Sequence, residues 1–397
     1  MHKRMLRASR RLRDATRGRR RSEQKTARTH LWRSQCNCPY WHGVFGGLYL
    51  PHLRSAVYHE LIAAESFLGP ERPRVERGDL DLDGVDDALL ETAGWAAWVS
   101  ARGARLWGFD DRHARINYFD TLARRLSSYH RRLEQASATG GEGRSIHGEL
   151  RLKNPELKGI ALEYDPRGRD SFLDRWIEGE STHDWSMVRF RLEETGVESA
   201  TPVMAGVATE PAVASVAVAP EPRAGIATAT QAVAATGVAL RVEESAAPAL
   251  EKRFGAGQDG ALEVEYVLTS SRPRRGTLVV ELNLGLHVPQ ADDRYVEIDG
   301  ERADPPHFAA RARHDAVTRA AYVDAWADRR LEVRNHPAAT LERAPIETVS
   351  LSEDGAERVF QGLETRYSFA VTLEAGGSFR ARFRLASGVA LDVHPRS

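Results

Sequence analysis

Residues 35–54 read QCNCPYWHGVFGGLYLPHLR and carry the clearest chemical signal in this chain. The segment combines hydrogen-bonding side chains, a large flat indole ring and small glycines within a short span. An indole can cover the apolar face of a pyranose, while amide, phenol and imidazole groups bond its hydroxyls. The segment therefore predicts a sugar-binding surface formed by Asn37, Tyr40, Trp41, His42 and Gly43.

The same residues allow a second interpretation, in which the segment is the buried start of a helix. Trp41 and Phe45 then belong to a core. From Trp41 to Phe67 apolar residues recur three and four positions apart, which is typical of an amphipathic helix. Pro51 lies inside this pattern, so we expect the helix to kink or restart there. The spacing alone leaves both interpretations open.

The segment resembles one in glycoside hydrolase family 57, the α-amylase/4-α-glucanotransferase type, whose pattern there is Q-x-N-D-x-Y-W-H-G-x-F-G-G. Cys38 stands where that pattern has Asp, so one carboxylate that could hold a sugar hydroxyl is missing. The resemblance continues in later segments, which are Asp120–Arg125, Tyr129-His130, Ser145–His147, Leu162–Asp165, Arg169–Asp174, Glu281–Leu284 and Pro345–Ser350. It implies an α+β fold, with an N-terminal helical region followed by a large antiparallel β-sandwich of the mutarotase-like supersandwich type.

The resemblance implies a role in α-1,4-glucan metabolism, but it assigns no catalytic residue. A retaining glycosidase needs two carboxyl groups about 5–5.5 Å apart, and in the family these lie on an N-terminal barrel. Because this sequence starts with Met1, we expect it to begin after the barrel. The expected partners are an α-glucan oligosaccharide and either a separate barrel chain or a second copy. The alternative is a non-catalytic carbohydrate-binding or assembly protein.

The residues themselves also offer no catalytic pair. Asp79, Asp81, Glu281 and Glu347 could pair in principle, but the sequence gives no reason to choose two of them.

An acidic run at Asp79, Asp81 and Asp83, followed by Gly84, has the spacing of the first half of a calcium-binding loop. The loop's twelfth position, where such loops carry a bidentate Glu, is Leu90. The run therefore predicts either a Ca²⁺ site or an acidic turn without a metal. No cofactor is otherwise required.

Two further motifs predict no site. Cys36, Cys38 and His42 are too few ligands for a structural zinc site, so we expect two buried thiols instead. Residues 255–260 match G-x-G-x-x-G, but they precede a strand rather than open a helix, which excludes a dinucleotide site.

Composition narrows the class of protein. Lys+Arg and Asp+Glu both number 56, so the net charge gives no field that attracts nucleic acid or a membrane. No apolar run is long enough for a transmembrane helix, and no apolar core of a secretory signal follows the basic N-terminus. Two cysteines do not form a disulfide framework. These features predict a cytoplasmic protein with no nucleic-acid or membrane partner.

Changes in periodicity divide the chain into four parts, at 1–70, 71–196, 197–255 and 256–397. The first is helical, and its arginine-rich start predicts a solvated helical face, with a nucleic-acid arm as the alternative. The second mixes strands with a helix from Ile116 to Arg132. The third is rich in Ala, Val and Pro and predicts a poorly ordered low-complexity linker or insertion, or else a packed strand region. The fourth alternates with a period of two and predicts a sandwich.

Overall fold

The computed structural model describes residues 1–15, 21–41, 46–69, 72–127, 129–131, 163–195, 237–352 and 355–389. The first part of the chain is helical, as predicted. Its helices are α1 (His2–Ala15), α2 (Arg21–Ser34) and α3 (Pro51–Ser66), with short 3-10 helices at Cys38–Tyr40 and Gly47–Tyr49. A small apolar core joins the three longer helices and is formed by Ala8, Leu12, Ala27, Leu31, Val57, Leu61 and Ala64.

Helix α3 starts at Pro51, which confirms the predicted restart. Proline suits the first helical position because the N–H that it lacks would have no partner there. Among the described residues, no helix is both long enough and apolar enough to cross a membrane.

The predicted solvated face is wrong for part of the N-terminal helix, although Arg10 and Arg13 are exposed as predicted. Arg4 is buried, and its Nη2 lies 2.6 Å from Glu65 Oε2 and 2.6 Å from Asp110 Oδ2. Arg11 lies 3.2 Å from the buried carboxylate of Glu91. Asp110 and Glu91 belong to a β-sheet, so these ion pairs fasten α1 to that sheet.

That sheet is an antiparallel meander in which the strands follow chain order. Its strands are β1 (Arg74–Gly78), β2 (Asp87–Glu91), β3 (Trp95–Ser100), β4 (Arg105–Asp111) and β5 (Ile116–Asn117). β2 and β3 are buried at every position, because one face packs on the main core and the other on a small cluster around Trp98.

The remaining described strands form one larger antiparallel sheet. They are β6 (Leu173–Glu178), β7 (Ser181–Asp184), β8 (Arg191–Thr195), β9 (Gly237–Val242), β10 (Ala249–Ala256), β11 (Leu262–Thr269), β12 (Arg274–Leu284), β13 (Arg294–Ile298), β14 (Glu301–Arg302), β15 (Ala312–Asp324), β16 (Arg329–Ser352), β17 (Gly355–Leu373) and β18 (Ser378–Gly388). The main path runs β7-β6-β12-β17-β16-β18-β11-β10-β9-β8.

The long strand β16 changes partner along its length. Residues 330–336 pair with β18, whereas 340–352 pair with β17. The two halves of the sheet enclose a common core, in which the rings of Tyr367 on β17 and Phe383 on β18 lie 5.3 Å apart. The predicted α+β fold with a large antiparallel sandwich is therefore confirmed.

The predicted end of the linker is wrong. The linker predicted at 197–255 extends too far, because strands β9 and β10 begin at Gly237 and belong to the sandwich. The packed-strand alternative thus holds for this end, and residues 197–236 lie outside the described residues.

The helix predicted from Ile116 to Arg132 is absent from residues 118–127. Asp120 accepts a hydrogen bond from Arg54 at 3.1 Å, and the backbone N–H of Arg124 donates to the carboxylate of Asp165 at 2.7 Å. These tertiary bonds outweigh the local helix propensity.

The ion pairs of Arg4 give a stability prediction. In Arg4→Ala, Asp110 stays buried without its cation and Glu65 keeps only Arg7 at 3.8 Å, so we expect the free energy of unfolding to fall by about 3–5 kcal/mol. The matched control is Arg10→Ala, since Arg10 is exposed on the same helix. Urea unfolding measures both variants, and equal stabilities would contradict this role of Arg4.

Candidate functional site

The predicted sugar platform lies on the turn between α2 and α3. Trp41 is 52% exposed there, so the alternative that places its ring in a core is wrong. Asn37 precedes the 3-10 helix, and its side chain makes no capping bond. The amide of Asn37 and the indole of Trp41 are thus both accessible on one short turn.

Tyr40 lies on the same turn but holds it together. Its hydroxyl donates to the Ser34 carbonyl at 2.7 Å, and its ring packs against the helical core. Burial and the neighbouring Cys36 raise the pKa of Tyr40 to about 12, so the phenol stays protonated. His42 and Gly43 lie outside the described residues.

A close backbone contact fixes the position of Trp41. The N–H of Leu48 donates to the Trp41 carbonyl at 2.9 Å. Gly47 lies beside this bond with a φ of +48°, and a Cβ there would sit 2.2 Å from that carbonyl oxygen. Only glycine combines this conformation with this approach.

The end of the turn is fastened to the sandwich. Arg54 is buried and donates to the Leu48 carbonyl at 2.7 Å as well as to Asp120. The amide of Gln361 on β17 donates to the Tyr49 carbonyl at 2.8 Å. The strands therefore hold the chain that follows Trp41.

The acidic run forms the turn that precedes β2. Asp79 accepts the N–H groups of Asp83 and Gly84 at 2.9 and 3.0 Å. Asp83 pairs with Arg102 at 3.2 Å, which directs its carboxylate to a neighbouring loop. Three carboxylates converge instead, those of Asp79, Asp81 and Asp87. One oxygen from each lies within 4.8 Å of the other two. The structure thus places Asp87 where the sequence predicted Asp83.

Burial and the Asp81 carboxylate raise the pKa of Asp87 to about 7. Burial and the Asp83 carboxylate also raise the pKa of Asp81. Unbalanced negative charge is therefore concentrated at this turn.

Comparison with known proteins identifies the chain. Residues 79–383 match the family model described as alpha-amylase/4-alpha-glucanotransferase, C-terminal, and residues 1–68 match the model of the middle domain of the same family. The chain belongs to the α-amylase/4-α-glucanotransferase family.

Relatives and a solved structure agree with this assignment. The 4-α-glucanotransferase of Thermococcus kodakarensis is 31% identical over 97% of this chain and 50% of its own length. Alpha-amylase 1 of Dictyoglomus thermophilum is 29% identical over 91% of this chain and 49% of its own length. The crystal structure of the Thermococcus litoralis 4-α-glucanotransferase shares the fold, with a TM-score of 0.63, 22% identity and coverage of 97% of this chain and 48% of that one. The chain thus spans about half the length of the relatives that it matches.

Several family-like motifs meet at Arg169, where the sequence had given them no role. Arg169 donates to Asp165 at 2.8 Å, to Asn283 at 3.2 Å and to Glu364 at 2.6 Å. These four residues come from three separate parts of the chain. The sequence signal was present, since three of them stand in segments quoted for the resemblance, but their meeting depends on strand pairing.

Two of the carboxylates that the sequence offered for a catalytic pair, those of Glu281 and Glu347, form ion pairs with arginines. Glu281 pairs with Arg175 at 3.1 Å, and Glu347 pairs with Arg358 at 3.0 Å. Both therefore act as partners in ion pairs of the sandwich.

The expectation of buried thiols is wrong, because Cys36 and Cys38 are both exposed. The G-x-G-x-x-G run at residues 255–260 includes the turn between β10 and β11 and opens no helix, as predicted.

The backbone contact at Gly47 can be tested. In Gly47→Ala, the positive φ alone costs about 1–2 kcal/mol, and the clash with the Trp41 carbonyl adds to it. The control is Gly376→Ala, because Gly376 has a φ of +76° with no atom within 4 Å of the added Cβ. We expect urea unfolding to show a larger loss at position 47. Equal losses of stability in the two variants would mean that the turn at position 47 can shift to make room for the added methyl group.

Proposed function

We propose that this chain serves α-1,4-glucan metabolism as the part of an α-amylase/4-α-glucanotransferase that supports a catalytic barrel and adds a glucan contact. The observation that carries the proposal is the exposed indole of Trp41 on a turn that is anchored to the sandwich. The family assignment and the relatives' greater length support it further.

Chemistry supports a glucan as the ligand of this turn. An exposed indole offers a flat apolar face to the C–H groups of a glucose ring. Asn37 supplies an amide donor and acceptor on the same turn, and the backbone of Gly47 lies against the Trp41 carbonyl. Burying one such ring face contributes on the order of 1–3 kcal/mol. The turn alone therefore binds glucan weakly, and the barrel supplies the rest of the affinity.

The hydrolytic or transfer chemistry belongs to the barrel in this proposal. Such chemistry needs a nucleophile and an acid/base in one cleft. The described carboxylates that the sequence offered are held by arginines or by the acidic turn. We also propose that the chain belongs to glycoside hydrolase family 57, which the motif in residues 35–47 supports. We propose a cytoplasmic location, which its two free thiols support.

A second candidate function is non-catalytic carbohydrate binding by the sheets alone. A cleft of about 610 Å³ lies between the five-stranded sheet and the β10–β11 turn. Trp95, His113 and Arg384 are among the residues that line it. This cleft contains no residue of the Trp41 turn, so mutation of Trp41 distinguishes the two sites.

The glucan contact predicts a specific effect of Trp41→Ala. Maltotriose should change the tryptophan fluorescence of the wild type with a Kd in the millimolar range, equivalent to about −4 kcal/mol. Trp41→Ala should lose this change while keeping its stability, because the ring is exposed. The chain contains eight tryptophans, so the result is read as the difference between wild type and variant.

Trp32→Ala is the matched control, since Trp32 is 61% exposed on α2. It should retain the maltotriose response. A response that persists in Trp41→Ala would move the sugar site to the cleft and favour the second candidate. No response in the wild type would refute both sugar sites.

Because the proposal assigns the catalytic pair to the barrel, we expect that the purified chain does not act on glucan by itself. Incubation with maltoheptaose, followed by chromatography of the products, should return only maltoheptaose. Shorter products would indicate hydrolysis and longer products would indicate transfer. Either would contradict the assignment of the chemistry to a barrel.

A further inference from the structure

Two carboxylate oxygens at the acidic turn have no hydrogen-bond donor among the described residues. These are Oδ1 of Asp81 and Oδ1 of Asp87. Asp87 is fully buried, and its other oxygen accepts the N–H groups of Leu80 and Asp81 at 3.0 and 3.1 Å. The Ser100 hydroxyl on the neighbouring strand is close enough to lower the pKa of Asp87, but its geometry makes no hydrogen bond to either of these two oxygens. A buried carboxylate oxygen without a partner is costly.

The basic side chains around the turn already have other partners. The ammonium of Lys3 donates to the Leu82 carbonyl at 3.1 Å. Arg102 pairs with Asp83, and Arg105 pairs with Asp170 at 2.8 Å. Among the described residues, no basic side chain therefore forms an ion pair with Asp79, Asp81 or Asp87.

We propose that one Ca²⁺ ion binds between Asp79, Asp81 and Asp87. This inference is independent of the proposed glucan function. It rests on the two buried oxygens without donors and on the convergence of the three carboxylates.

The geometry suits calcium. Oxygens that share one Ca²⁺ at about 2.3–2.6 Å lie at most about 5 Å apart, and these three lie within 4.8 Å of one another. In the numbering of calcium-binding loops, Asp79, Asp81 and Asp87 occupy the first, third and ninth positions, which are ligand positions. Gly84 occupies the sixth, with the positive φ of +83° that the sharp turn requires.

Calcium binds carboxylates in their deprotonated form, so the site is tested at a pH where they are ionised.

The experiment is thermal unfolding of the full chain at about pH 8, in EDTA, in millimolar CaCl₂ and in millimolar MgCl₂. For micromolar affinity we expect calcium to raise the Tm by about 5 °C. Magnesium should have less effect, because it demands a tighter octahedral shell. Isothermal titration should show one Ca²⁺ per chain.

Matched variants locate the ion. Asp81→Asn and Asp87→Asn should unfold at the same temperature with and without calcium. The side-chain amide introduced by Asp87→Asn keeps an oxygen for the N–H groups of Leu80 and Asp81, so this variant should fold. Asp86→Asn makes the same charge change at an exposed neighbour and should respond as the wild type does.

Three results would contradict the assignment. A wild type that gains no stability from calcium at about pH 8 would overturn the proposal, as would an equal gain from magnesium. A calcium response lost in Asp83→Asn but kept in Asp87→Asn would also overturn it.

Discussion

The buried guanidinium of Arg4 is the contact on which the arrangement of helices and sheets depends. It lies between Glu65 on α3 and Asp110 on β4, and it stacks 4.7 Å from the ring of Trp98. Burial by itself would lower the pKa of Arg4, but Asp110 and Glu65 raise it above its ordinary value. Removing the guanidinium takes away the cation that these two buried carboxylates share. The basic start of the chain is therefore part of the fold, because it neutralises acids of the sheet.

This anchoring bears on the sugar platform. A stacking ring is useful only when its position is set before the ligand arrives, because ordering it on binding costs affinity. Arg4 places α3 on the five-stranded sheet, while Arg54 fastens the start of α3 to Asp120 and to the Leu48 carbonyl. Leu48 in turn holds the carbonyl of Trp41. Ion pairs thus position the indole while its face stays exposed.

The sequence predicted elements whose pattern is local and missed those that distant partners determine. The stretch 262–268 alternates between apolar and polar residues over its first half and forms β11 as predicted. The first four residues of β9 are all buried, so no alternation marked that strand. The segment around Asp120 has helical propensity but takes its shape from Arg54. Asp83 has the spacing of a ligand, yet its carboxylate pairs with Arg102 on another turn. Such partners become visible only once the strands are paired.

The neutral charge of the chain conceals a local imbalance along β2. Glu91, at one end of the strand, receives three arginines at 3.2, 2.6 and 2.5 Å, one of them from α1. Asp87, at the other end, is as deeply buried but receives no arginine among the described residues. The same helix supplies Arg4 to Asp110, but its Lys3 reaches only the Leu82 carbonyl. A buried carboxylate needs a cation or a proton. The chain's own arginines supply the cation at Glu91 and Asp110, whereas at Asp87 the proton or cation must come from the solvent.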